Sequence, residues 1–443
     1  MNSQSKAQLT AHSVAIRFSA PSRFGLTVMN SRDRARSRSR DRAPLQVHRQ
    51  RVDFAALNME IKSAQSAADL RDLARTRGAD FSAMQHCMIC TACTRLRGDN
   101  NAACVLCVLA ANEWLYCPRG SPGRDARNAA TVYYALAKVK AHCVVLPADV
   151  VVRINMDRLI TDVGLEASIM SRDFNAQEAA NSLWAAATLR VRDDAIIGPL
   201  VAACVTQSRT FNAQGAANSL WAAATLGVRD DAIIGPLVAA CVTQSRTFNA
   251  QEAANSLWAA AALGVRDEAA FHALVISMRS DVSLNVEECQ QFLYVHAATH
   301  TWLPAPLLFS PELLDSFRAR VISTPSIISR SQRDVAASFS RVGFVIEQEA
   351  LVLDGLHAVD ILVHLPSGAL IAVEFDGPTH FLRWIQTSSA GRMPEPNGAT
   401  CFRNRLLRDA GLAVVVIPYF EWDALIDDAA RDAYISLRLA TVT

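Results

Sequence analysis

Thirty-seven residues, FNAQEAANSLWAAATLRVRDDAIIGPLVAACVTQSRT, run from Phe174 to Thr210 and return from Phe211 to Thr247 with only two changes, at Glu178 versus Gly215 and Arg190 versus Gly227. A third copy starts at Phe248. A unit of this length cannot bury its apolar face alone, and the period is that of helical hairpins that stack on one another. In the first half Asn175 is placed to cap, with Glu178 at the third helical position. Ala180, Leu183, Trp184 and Ala187 follow at i, i+3, i+4, i+7. The second half opens on Asp193 and Asp194, acids suited to a helix N-terminus, and buries Ile197, Leu200, Val201 and Cys204. Gly198-Pro199 inside it implies a kink or a later start.

Degenerate copies extend the array both ways. LNVEECQQFLYVHAATH, from Leu284, puts Tyr294 where the tryptophan stood, and DFSAMQHCMICTACTRL and RNAATVYYALAKVK look like eroded first helices upstream. The reading is an α-helical repeat solenoid over residues 53–322, about seven units long. Trp184, Trp221 and Trp258 are read first as core between hairpins and second as base-stacking platforms. Such surfaces bind extended polymers, RNA or protein. If RNA, the recurring Asn175, Gln177 and Asn181, then Asn212, Gln214 and Asn218, then Asn249, Gln251 and Asn255 are the candidate readers, with capping and solvation as the competing account.

The net charge of +2 over 443 residues hides an asymmetry, because residues 1–52 hold eleven basic side chains against Asp33 and Asp41 alone. The remainder is net acidic, so any nucleic-acid binding there needs a local basic face. Arg- and Ser-rich composition with few acids suits an organellar transit segment, mitochondrial or chloroplast. SRDRARSRSRDR at 31–42 also admits an Arg-Ser tail that contacts RNA or a nuclear address. The longest stretches free of charge, Thr210 to Val228 and Cys289 to Pro311, are broken by Asn, Gln, His or Pro, and neither reads as a membrane span. Cys87, Cys90, Cys93, Cys104 and Cys107 cluster near His86. Two CxxC spacings admit zinc, whereas the helical stripe through Cys87 and Cys90 favours packing between helices.

From 323 to 443 the pattern changes to a small α/β domain. HAVDILVHL and GALIAVEFD read as adjacent strands, with Asp360 on one and Glu374 and Asp376 on the other. Ile371, Val373 and Phe375 alternate with the two acids, so Glu374 and Asp376 share a face, and Gly377-Pro378 turns the chain to bring His380 back over the strand end. Carboxylates on neighbouring strands are how many nucleases hold Mg²⁺ against a phosphodiester.

HAVDILV, IAVEFDGPTHF and NGATCFRNRLLRDAGLAVVVIPYFEWDAL together resemble a RAP domain over about residues 330 to 430. That resemblance implies a single-stranded RNA-binding module behind heptatricopeptide- or octotricopeptide-like repeats. It also implies work in organellar RNA processing, stability or translation, with ribonucleoprotein components as further partners. The RAP fold is similar to very-short-patch-repair endonucleases and the PD-(D/E)xK group, which would make Asp360, Glu374 and Asp376 Mg²⁺ ligands and His380 a proton-transfer residue. Asp376 stands where that pattern has lysine. Arg403 and Arg405 are then the candidates for phosphate. Binding without cleavage and without a required cofactor, metal-dependent endoribonuclease activity, and a purely structural role for the acids stay open, as does a protein-binding scaffold.

Overall fold

The computed structural model describes residues 52–96, 100–140, 154–276, 284–304, 309–323, 328–383 and 393–441. The stretch 1–52, expected from its composition to be a targeting segment, lies, apart from Val52, outside the described residues. From residue 54 onward the chain is a stack of helix pairs: α1 (Phe54–Ser63) with α2 (Ala67–Arg77), α3 (Ala83–Cys93) with α4 (Asn100–Tyr116), α5 (Ala126–Lys140) with α6 (Met156–Ile169), α7 (Ala176–Thr188) with α8 (Asp194–Gln207), α9 (Ala213–Thr225) with α10 (Asp231–Gln244), α11 (Ala250–Leu263) with α12 (Glu268–Ile276), and α13 (Val286–Thr299) with α14 (Pro311–Ile322). The first helix of each pair packs on the first helix of the next, making a row, and the second helices form another.

Local chemistry explains the joints. Asn175, Asn212 and Asn249 each accept the backbone N–H three residues on, at 3.0, 2.8 and 2.9 Å, and in two of the three copies Glu178 and Glu252 return the bond to the cap's own N–H. These asparagines are helix caps. The alanine-rich interior then lets the helices approach closely: Ala179, Ala185 and Ala186 are fully buried, as are Ala216, Ala222 and Ala223 one repeat later. Helix α8 begins at Asp194 and runs through Gly198-Pro199 rather than starting after them.

The Cys87–Cys107 group lies in the packed core shared by α3, α4 and α5. The Cys87 thiol is pushed up to about 12 chiefly by burial, and Cys90 Sγ donates to Cys107 O at 3.6 Å. Cys87, Cys90, Cys93, Cys104 and Cys107 are all buried there, and among the described residues no set of three or more His, Cys, Asp or Glu is placed to hold a metal ion.

Downstream, α15 (Arg330–Val342) precedes strands β1 (Val345–Val352), β2 (His357–His364) and β3 (Leu370–Asp376). After the short pair β4 (Phe381–Leu382) and β5 (Glu395–Pro396) come α16 (Gly398–Asp409), β6 (Ala413–Pro418), α17 (Tyr419–Trp422) and α18 (Asp428–Leu439). The main sheet runs β1-β2-β3-β6, antiparallel except for the parallel β3–β6 pair. Helices α15 and α18 cover one face through Val335, Phe339 and Ile435, which meet Ile371 and Val373. Helix α16 covers the other through Leu407, which meets Ala372 and Val414. The solenoid is thus followed by a small sheet-containing domain.

Candidate nucleic-acid interface

Helix α16 is buried on two sides, which places the site. One side lies on the row of first helices. Phe402 meets Trp258 edge-on at 6.0 Å and Tyr294 at 6.1 Å, and Gly398 fits so closely that a Cβ there would stand 1.7 Å from Ala224 O. Arg405 donates to Ala261 O at 2.6 Å and Ala262 O at 3.2 Å, carbonyls at the negative C-terminal end of α11. Arg405 is therefore spent on docking the domain and is not presented to phosphate.

The seam continues to the first full repeat. Arg192 N donates to Arg383 O at 2.8 Å and Arg383 N to Arg190 O at 2.6 Å, a short parallel bridge between solenoid and domain. Arg190 Nη1 also donates to Pro378 O at 2.7 Å. Its backbone is left-handed, φ 59°, a conformation that strains a non-glycine residue by about 1–2 kcal/mol. The equivalent positions in the next two copies are Gly227 and Gly264, at φ 72° and 76°. One of the two differences between the near-identical repeats thus lies at the domain contact.

The other side of α16 faces the sheet. The alternation of β3 does put Glu374 and Asp376 on one face, and both are buried there. Arg403, also buried, reaches between them, with Nη2 3.0 Å from Asp376 Oδ1 and Nη1 3.5 Å from Glu374 Oε2. Asn404 Oδ1 accepts two further bonds from the same guanidinium. Arg403 is an internal counter-charge rather than a surface phosphate contact. It occupies the place a cation would need, and Asp360, Glu374 and Asp376 do not converge as a metal cage, so the site does not fit Mg²⁺.

Asp360 shows why the carboxylates separate. The β2–β3 ladder stops at Ile361 and Val373, and beyond it Asp360 Oδ2 takes the Phe375 N–H at 2.7 Å while Oδ1 accepts from Gln332 at 2.9 Å. The strands part at this point. A cleft of about 450 Å³ opens between Gln332, Asp360, Thr379, His380, Arg403 and Tyr419. His380 lines it half-exposed, with Nδ1 3.2 Å from both Asp376 Oδ1 and Thr400 Oγ1.

Two residues of this network escaped the sequence reading. His357 Nε2 meets Glu374 Oε1 at 2.9 Å, and its Nδ1 meets the Tyr294 hydroxyl at 2.8 Å, so a chain of polar contacts runs from α13 into the carboxylate site. The only signal in the sequence was the break in the tryptophan pattern at Tyr294, where a hydroxyl replaces an indole.

The charges sort accordingly. Burial raises the Glu374 carboxyl, but Arg403 and His357 outweigh it and hold Glu374 below the usual range. Burial dominates at Asp376, which is raised despite Arg403, and at His380, which is lowered. Burial, and then the Glu374 charge, push Asp360 up to about 7. A raised carboxyl contributes stability that is complete below about pH 4 and is lost as pH climbs through about 7. Asp360→Asn should therefore gain on the wild type between pH 5 and pH 8 in urea melts; an offset that stays constant across that range contradicts the assignment.

Of the other sequence candidates, Gln177, Gln214 and Gln251 are exposed, and Asn181 and Asn218 are half-buried on the first-helix row. Asn255 accepts from Gln291, its counterpart in the next repeat, at 3.1 Å. Trp258 is buried in the solenoid core, where Phe402 of the C-terminal domain meets it, and Trp184 and Trp221 are half-buried against the same core. No described helix is long and apolar enough to cross a membrane.

No curated protein matches the chain. Residues 373–436, from the middle of β3 through most of α18, match the family model of the RAP domain. This is the part that holds Glu374, Asp376, His380 and Arg403 and docks on the solenoid, and the match suggests RNA binding. The chain is a helical-repeat protein that carries a RAP domain downstream of its repeats.

Proposed function

We propose that the chain is an organellar RNA-binding factor acting after transcription, in RNA processing, stability or translation. The solenoid selects single-stranded RNA and the RAP domain contacts its backbone or end. The observation that carries this reading is the seating of the RAP domain on the first-helix row, which joins the two parts into one continuous surface. Binding is favoured over cleavage because Arg403 already neutralises Glu374 and Asp376 where a catalytic cation would stand. The organellar part rests on the Arg- and Ser-rich, acid-poor composition of residues 1–52. Ribonucleoprotein components are natural partners for the solenoid surfaces that RNA leaves free.

Fluorescence anisotropy of the full chain with an end-labelled, unstructured RNA tests this. Affinity should be the same in Mg²⁺ and in chelator, should fall as salt rises, and the RNA should remain intact. Cleavage that needs Mg²⁺ would restore the endoribonuclease reading, and no binding at moderate salt would leave the protein scaffold. A reporter fused to residues 1–52 should enter an organelle; nuclear or cytosolic signal removes that part.

A further inference from the structure

Three copies of one tryptophan meet two different fates in this fold. Phe402 of the RAP domain meets Trp258 edge-on at 6.0 Å, while Trp184 and Trp221 stand on the same row, in the same sequence context, half-buried and with no RAP-domain ring against them among the described residues. Neither of these two indole N–H groups has an acceptor among the described residues. The row extends upstream to Tyr134, whose ring lies 5.3 Å from that of Trp184 and carries Lys138 Nζ at 5.8 Å.

The surroundings narrow the occupant. Helical spacing puts Gln177 and Asn181 on one stripe with Trp184, and Gln214 and Asn218 on one stripe with Trp221. On α5 the equivalent stripe holds exposed Arg127, then Tyr134 and Lys138. No acid stands at these stripe positions on α5, α7 or α9. The acid Glu287 occupies the position of Gln251 only on α13, whose Tyr294 the RAP domain covers. Planar rings interleaved with amides and cations, free of carboxylates, suit a stacked base and its phosphate better than an apolar peptide.

We infer that the row from Tyr134 through Trp184 to Trp221 is a base-stacking track for single-stranded RNA, and that the RAP domain ends it by burying Trp258 under Phe402. The covered copy shows that the same indole, in the same setting, takes an aromatic neighbour, there edge-on. The track rests on the RNA-binding reading above and adds to it which residues hold the bases. Stacking tolerates any base, so this surface sets affinity and register, while sequence preference falls to the amides beside the rings.

The test uses the full chain and an unstructured oligouridine of about 12 nucleotides, within the roughly 4–16 nucleotides that single-strand binding sites occupy. Trp184→Ala with Trp221→Ala should weaken binding by roughly 5- to 150-fold for each stacked base lost, and Trp184→Leu with Trp221→Leu, controls that keep the half-buried apolar packing, should weaken it likewise, with the melting temperature of each variant read alongside. Trp184→Phe with Trp221→Phe should recover most of the affinity, which a merely positional role for the indoles would not require. Wild type that binds RNA while the alanine pair binds equally well overturns the track and assigns the face to a protein partner. Wild type that binds no single-stranded RNA overturns the RNA reading and the track with it.

Discussion

Gly398→Ala is expected to lift the RAP domain off the solenoid. The added Cβ would stand 1.7 Å from Ala224 O and 2.7 Å from Ala224 C, backbone atoms at the end of α9 that cannot rotate away. Overpacking against side chains costs typically about 1–3 kcal/mol, and a backbone overlap this deep has no side chain to relax it. Within α16 itself alanine is the better helix former, so the domain's own fold is spared. The loss falls on the docking contacts, Phe402 on Trp258 and Arg405 on α11, which separate together. Small-angle scattering should show a larger radius of gyration, and the thermal transition should split in two. An unchanged radius with one cooperative transition would place the domain elsewhere.

Arg403→Leu should produce the larger loss of stability. Removing one member of a buried ion pair is worth about 3–5 kcal/mol because the remaining charge is left without compensation, and here two carboxylates, Glu374 and Asp376, are left at once. The sign of the pH effect follows. Without the guanidinium, both carboxylates rise above their unfolded values, so each then contributes stability that is present at low pH and lost as pH rises. The variant should be closest to wild type in acid and furthest from it above neutrality, in urea melts read at several pH values. A deficit that shrinks as pH rises would show that Arg403 does not serve as their counter-charge.

Much of this architecture is written locally. The repeat is legible because its apolar stripe has the helical period and its caps stand at fixed offsets, and the alternation Ile371-Val373-Phe375 placed Glu374 and Asp376 on one face. What was not legible depends on a second surface. Arg403 reads as exposed on a helix rich in charge, and turns inward only because the sheet covers one side of α16 and the solenoid the other. Arg405 and Arg190 likewise take their meaning from the docked domain. Arg190 was visible as a difference between copies, but a left-handed arginine makes sense only once Pro378 O is found in front of it. The asparagines at 175, 212 and 249 were open to two readings, and each of them makes the capping bond that the local one requires.

The central claim is that solenoid and RAP domain present one RNA surface, and photocrosslinking of the intact protein to 4-thiouridine-containing single-stranded RNA, with the attached peptides sequenced, tests it most directly. The account predicts crosslinks in α5, α7 and α9 around Tyr134, Trp184 and Trp221, together with crosslinks at the RAP cleft around Thr379 and His380. Crosslinks confined to residues 1–52, or to one of the two parts with the other clean, would contradict it.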